Sequence, residues 1–287
     1  MPEQNDIFAR IRAQSGKMSK AQRRIAAYLE SHPDTVPFLT TAKLAKQAGV
    51  GEATVIRFAS ALGFSGFTEM QQHLQEQLRK RVTTVERLDM NVDIYPEEQR
   101  IAYEVLTDDI ANLKQTMQML KVETFSEAVK KIHQAASVTI VALRSSHALG
   151  SFFAFYSQLL KKNTQLITDS DTMFEKLAHL DADDLVIGIS FSRYTARTVE
   201  AMCFVRERGV QTLAITDAHH SPLARASDLY LVASSSLPSF LDSFVAPLSL
   251  INALLTAVAR MNRQEITHHL QKMEKIWEHE GIYYSEK

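Results

Sequence analysis

Two periods divide this chain. Up to about residue 136, apolar positions recur every three to four residues; beyond it, short runs apolar at nearly every position alternate with further helical stretches. In the first part, Ile25, Tyr28 and Leu29 mark the inner face of a helix opened by Ser19 and Gln22, a pair at capping-box spacing. Leu44, Ala45 and Ala48 mark a second helix with Thr40 as N-cap. Val55 or Ile56, Ala59 and Leu62 mark a third, and Met70, His73 and Leu74 lie on a fourth. Residues 1–80 thus predict an all-α bundle of about five helices. Helices follow over roughly 97–120 and 124–136, after a charged, weakly periodic linker at 79–96.

From there the pattern is that of strands. Val138–Leu143, Leu185–Ile189, Gln211–Thr216 and Leu229–Val232 are apolar and rich in β-branched residues, and Thr164–Thr168 is a weaker run. Helical stretches over about 147–162, 172–179, 195–208 and 221–226 separate them. Strands apolar on both faces and joined by helices mean a parallel sheet covered on both sides, a doubly wound α/β domain. Helices near 243–262 and 266–279 close the chain. The expected divisions are a helical domain at 1–80, a linker and connecting helix at 81–122, the α/β domain at 123–265, and a C-terminal helix at 266–287.

Residues 40–62 carry the first functional signal. Gly49 suits the left-handed turn that ends one helix, Val50 plugs the angle, and Gly51 opens the next helix without a side-chain acceptor. Helix, short turn and helix at this spacing make a helix-turn-helix, whose second helix enters the DNA major groove. Glu52, Ala53, Thr54 and Arg57 then point outward near its N-terminal end. Arg57 and Thr54 are the expected base contacts, Lys43, Lys46 and Arg24 the expected phosphate contacts, and Glu52 lies on the same surface. The plainer alternative is a helical hairpin with a solvated charged face.

Charge agrees with a DNA-binding head. The whole chain has a formal net charge of −1, from 32 Lys and Arg against 33 Asp and Glu, but residues 1–80 sum to +4 and the remainder to −5. The one cysteine, Cys203, excludes an intramolecular disulfide and fits a reducing compartment. Its place beside Met202, Phe204 and Val205 predicts a buried thiol. The N-terminus lacks a signal-peptide pattern, and no run approaches ~20 apolar residues. A cytoplasmic protein with no membrane partner is expected.

A ligand of an open α/β sheet sits at the carboxyl ends of its strands. Two such ends here are rich in hydroxyls: Arg144, Ser145, Ser146 and His147 after the first strand, and Ser190, Ser192, Arg193, Tyr194 and Thr195 after the third. Each feeds a helix N-terminus, which suits an anion such as phosphate. Caps alone would account for one or two of these hydroxyls. The helix near 243–262, apolar around much of its circumference through Leu248, Ile251, Leu255 and Val258, predicts a dimer surface or a deeply buried core helix.

Along nearly its whole length the chain resembles RpiR/MurR-type bacterial transcription regulators. The residues that carry the likeness are Leu44-Ala45, Ala48-Gly49-Val50, Glu52 to Phe58 and Leu62 to Phe67 in the head, and Ala214 to Asp217, Ser221 to Ala224 and Ala226 to Asp228 in the body. The resemblance implies a helix-turn-helix domain joined to a sugar-isomerase (SIS) domain that senses a phosphosugar. It implies a homodimeric or higher homo-oligomeric regulator of carbohydrate-metabolism genes, with repression the expected mode, bound to double-stranded operator DNA and using no cofactor or metal. Two loops depart from the family pattern. Arg144 and its neighbours stand where Gly-x-Gly-x-Ser is common, and Arg193 replaces the glycine of Ser-x-Ser-Gly-x-Thr, whose hydroxyl positions Ser190, Ser192 and Thr195 keep. The expected effector is therefore a small anionic metabolite, a phosphosugar or a sugar acid. The rival function is a sugar-phosphate isomerase with an appended helical domain, for which His147, His219 and His220 are the candidate bases. A metal-dependent sensor is a third possibility, but in the His219-His220 and His268-His269 pairs adjacent side chains diverge.

Overall fold

The structure is a computed structural model and describes residues 7–79, 83–88, 98–160, 163–237 and 239–284. The chain clusters into two units, one of residues 1–108 with 236–242, the other of 109–235 with 243–287.

The first unit begins with five helices: α1 (Ile7–Gln14), α2 (Lys20–Ser31), α3 (Thr41–Ala48), α4 (Glu52–Ala61) and α5 (Phe67–Arg79). Ser19 and Gln22 close the capping box that opens α2. Ile25, Leu29, Leu44, Val55, Phe58 and Met70 form the buried centre. At the α4 position that periodicity left open, Val55 turns inward and Ile56 stays 48% exposed. Most of the expected linker, 80–82 and 89–97, lies outside the described residues. Within it, 84–88 form a helical turn where irregular chain was expected, because Thr83 and Glu86 cap it reciprocally. From the same stretch, Arg87 donates to Leu241 O (2.7 Å) and Asp242 Oδ1 (3.0 Å).

Helix α6 (Ile101–Met119) starts in the first unit and ends in the second. The second unit continues with α7 (Val122–Gln134), α8 (His147–Leu159), α9 (Met173–Leu177), α10 (Ala196–Glu207), α11 (Pro222–Arg225), α12 (Val245–Met261) and α13 (Arg263–His279). They enclose five strands: β1 (Val138–Val141), β2 (Thr164–Ile167), β3 (Leu185–Ile189), β4 (Gln211–Thr216) and β5 (Leu229–Val232). All pair in parallel, in the order β2-β1-β3-β4-β5. Strand alternation explains the two layers. Leu185, Ile187 and Ile189 of β3 face one core with α7, α8 and α12, while Val186 faces the other with α10. Because the order reverses between β1 and β3, a crevice opens at their carboxyl ends.

One sequence-based expectation fails here, and one left open is decided. Cys203 is exposed. The buried positions of α10 are Thr198, Ala201, Met202 and Val205, spaced i, i+3, i+4, i+7, and Cys203 lies about 100° round the helix from Met202. Of the two alternatives for helix α12, the structure shows the core helix: Leu250, Ile251, Leu254, Leu255 and Val258 are buried in its own domain's core, and only Val245 and Met261 at its ends remain substantially exposed among its large apolar residues. Among the described residues no single helix is long and apolar enough to cross a membrane.

Candidate DNA interface and effector site

The helix-turn-helix is built as its sequence dictates. Thr40 Oγ1 accepts from Lys43 N at 3.2 Å and starts α3. Gly49 ends it at φ 63°, and its N–H donates back to Lys46 O. A Cβ at Gly49 would lie 2.0 Å from Arg24 Nη2, so the Arg24 guanidinium covers this turn at a distance only glycine permits. Of the expected DNA contacts, Lys46, Glu52 and Arg57 are exposed and Thr54 is half-buried. Arg57 Nη2 lies 3.4 Å from Thr54 Oγ1, which keeps both polar groups on one patch of α4. Lys43 is engaged elsewhere: its Nζ contacts Glu104 Oε2 of α6 at 2.7 Å, and this hydrogen bond, more than the charge itself, holds the Glu104 carboxyl below the usual range.

At the crevice, the structure places Arg144 to Ser146 after β1 and Ser190 to Thr195 after β3, ahead of α8 and α10. Since β1 and β3 are paired neighbours, these two loops open at the same point of the sheet. Arg144 (φ 57°) and Arg193 (φ 61°) both adopt left-handed backbone, as no other non-glycine residue does among those described. For an L-residue this costs about 1–2 kcal/mol each. Both arginines and Ser145 are exposed, Ser146, Ser190 and Ser192 are buried, and Thr195 is half-buried. Ser190 Oγ accepts from Thr195 N at 3.2 Å. Ser146 and Thr195 occupy N-cap positions, yet neither side chain makes a capping bond, so capping does not account for these two hydroxyls.

One group escaped sequence reasoning. Tyr194 donates its hydroxyl to Asp217 Oδ1 at 2.7 Å, and Thr216 Oγ1, beside Asp217, bonds Ser221 Oγ at 3.1 Å. This ties the loop after β3 to the loop after β4. Both residues lie next to motif positions in the sequence, but nothing in their spacing, 23 residues apart, announces the pair.

The candidate histidines are scattered. His147 opens α8. His219 lines a separate pocket of about 140 Å³ at the β5 edge, with Met119, Lys121, Thr124, Tyr230 and Val232. Burial there, then the Lys121 and His220 charges, push its pKa below the ordinary value. His268 and His269 lie on α13, and no three His, Cys, Asp or Glu side chains converge among the described residues.

The architecture has named counterparts. A model of the helix-turn-helix domain of the rpiR family matches residues 5–81, and a model of the SIS domain matches 131–257. The sugar isomerase domain of an RpiR transcription factor from Sphaerobacter thermophilus is 33% identical, with a TM-score of 0.60 over 61% of this chain and 99% of that one. The chain belongs to the RpiR family. As an RpiR-family protein it is a helix-turn-helix transcription regulator with a SIS domain. The regulator HexR of Pseudomonas aeruginosa is 27% identical over 278 residues, 94% of this chain and 95% of HexR. The NanR protein of Vibrio vulnificus, solved in complex with ManNAc-6P, shares the fold: TM-score 0.58 and 21% identity over 95% of this chain and 98% of NanR.

Proposed function

We propose that this regulator acts in the cytoplasm as a homodimeric repressor of carbohydrate-metabolism genes, released from or fastened to its operator by an anionic sugar metabolite. The observation that carries the reading is the crevice between β1 and β3. Two helix N-termini open there beside buried hydroxyls, and two arginines stand on strained backbone. Strain of that kind persists where surrounding structure holds it, and it clusters at ligand clamps. Guanidinium groups recognise phosphate and carboxylate through paired N–H donors. Arg144, Ser145, Ser146, Ser190, Ser192, Arg193 and Thr195 are the proposed effector contacts. A ligand with two anionic groups, such as a phosphorylated sugar acid, would engage both arginines. The ManNAc-6P complex of NanR supports a phosphosugar class.

On the DNA side, exposed Glu52 and Arg57 with half-buried Thr54 on α4, and Lys46 and Lys43 on α3, support operator binding, with the domain limits near 80, 122 and 265 read from sequence as the working division. The chain is read as no enzyme, since an isomerase has no use for the head. Two measurements test the proposal. Duplex selection from a random library should return a near-palindromic site, and thermal-shift screening of phosphosugars and sugar acids should return a stabilising ligand. Turnover of an aldose or ketose phosphate at ordinary enzyme rates would favour the isomerase instead.

A further inference from the structure

Helix α6 is inside out. Its buried positions are polar: Asp108, Asn112 and Thr116, spaced four apart. Asn112 Oδ1 accepts from Ser234 Oγ at 2.6 Å, and Thr116 Oγ1 accepts from Ser234 N at 2.9 Å, so this face is used within the chain. The apolar residues lie on the other side. Tyr103 (74% exposed), Leu106 (60%), Ile110 (51%) and Met117 (75%) face solvent, with half-buried Leu113 in the same row; Leu120, past the end of the helix, packs on its own domain's core. Their spacing alternates three and four without a break from 103 to 117. That is the a/d repeat of a coiled coil, a narrower stripe than the one that docks a helix on a globular core.

We propose that this row is a two-stranded parallel seam with α6 of a second copy of the chain. The inference rests on the homodimer reading above and names the surface that makes it. An a/d row is self-complementary, because each knob fits a hole formed by the same residues on the facing helix. The flanking charges fit as well. With Tyr103 at position a, Asp109, half-buried with its Oδ1 accepting from Ser243 Oγ, falls at g and turns its other carboxylate oxygen to that role, and exposed Lys114 falls at e. In a parallel pair, each g residue meets the partner's e residue five further along, so Asp109 faces a lysine in both directions, whereas antiparallel pairing sets like positions against each other.

The test uses the full chain. Sedimentation of the wild type at tens of micromolar should show a dimer. Ile110→Glu, a change at an exposed position, should keep the circular dichroism and melting midpoint of the wild type while raising the dimer dissociation constant on the order of 100-fold. In a Cys203→Ser background, Leu106→Cys and Met117→Cys should each form a covalent dimer on oxidation, since in parallel register like positions meet. A wild-type monomer overturns both the homodimer reading and the seam. A wild-type dimer that Ile110→Glu leaves intact overturns the seam alone and gives this face to another partner. Crosslinking at only one of the two cysteines overturns the parallel arrangement.

Discussion

Arg144 and Arg193 stand at the carboxyl ends of paired neighbouring strands, and both hold left-handed backbone, at φ 57° and 61°. Backbone and guanidinium can be separated at Arg144. Arg144→Gly relieves strain of about 1–2 kcal/mol, less the extra freedom glycine gains on unfolding, and should stabilise the protein by ~0.5–1 kcal/mol. Arg144→Ala keeps the strain and should leave stability near that of the wild type. Both should weaken an anionic effector roughly tenfold or more, as expected for loss of a charged hydrogen bond. Urea denaturation and calorimetry read the two effects. Effector affinity lost in Arg144→Gly but kept in Arg144→Ala would place the contribution in the backbone.

Close packing beneath the same crevice gives a second prediction. A Cβ at Gly150 of α8 would sit 2.6 Å from Ala142 Cβ and 3.0 Å from Leu166 Cδ1. Ala142 follows β1 directly and has no flexible end to move aside. Gly150→Ala should cost about 1–3 kcal/mol by overpacking. Because the displaced helix carries Ser146 at its start, the effector should also bind more weakly. An unchanged melting midpoint would show that α8 is free to shift.

In the head, three substitutions should separate by kind. Arg57→Ala should relax preference at one base position at a cost of ~1–3 kcal/mol. Lys46→Ala should weaken all sequences alike and lower the salt slope by about one. Lys43→Ala should do less than Lys46→Ala, because Glu104 already neutralises that ammonium at 2.7 Å. Binding isotherms on cognate and scrambled duplexes over a salt series distinguish them. Equal slopes for the two lysine variants would mean that Glu104 lets go on DNA.

His219 sets a pH dependence. Burial and two nearby cations favour its neutral form, so its folded pKa lies below the ordinary value of about 6.5. As pH falls below 6.5 the unfolded chain takes the proton first, and stability drops until the folded pKa is passed; above 6.5 this group contributes no pH dependence. The ring is half exposed, so screening keeps the effect to a fraction of a kcal/mol. Melting midpoints at pH 7.5 and 5.5 should differ less in His219→Gln than in the wild type.

Much of this was legible beforehand because local pattern and tertiary role agree. The five strands are apolar on both faces, and the helix-turn-helix depends on Gly49 and a Thr40 cap only residues away. What escaped depends on direction in space. Cys203 shares a helix with buried Met202 but points elsewhere. Helix α12 reads as surplus apolar surface until α7 and α8 are seen to cover it. Tyr194 meets Asp217 only after the crossover through α10 brings their loops together. The outward row on α6 looks like an ordinary apolar pattern until its opposite face proves to be the buried one. The two arginines were conspicuous as departures from glycine, yet their left-handed backbone is a property of the folded loop.

The division of the chain into units has a mechanical corollary. Residues 236–242 cluster with the first unit although both flanking segments belong to the second. The peptide chain therefore passes between units three times, near 108, 235 and 242. On the second-unit side these passages are fastened to one another: Ser243 Oγ donates to Asp109 Oδ1 at 2.5 Å, and Ser243 N donates to Ser235 O at 3.0 Å. A fragment beginning at 109 loses the first unit but keeps its 236–242 segment, a loop stripped of its Arg87 partner. The first unit is thus discontinuous in sequence, and no single cut of the chain yields it whole.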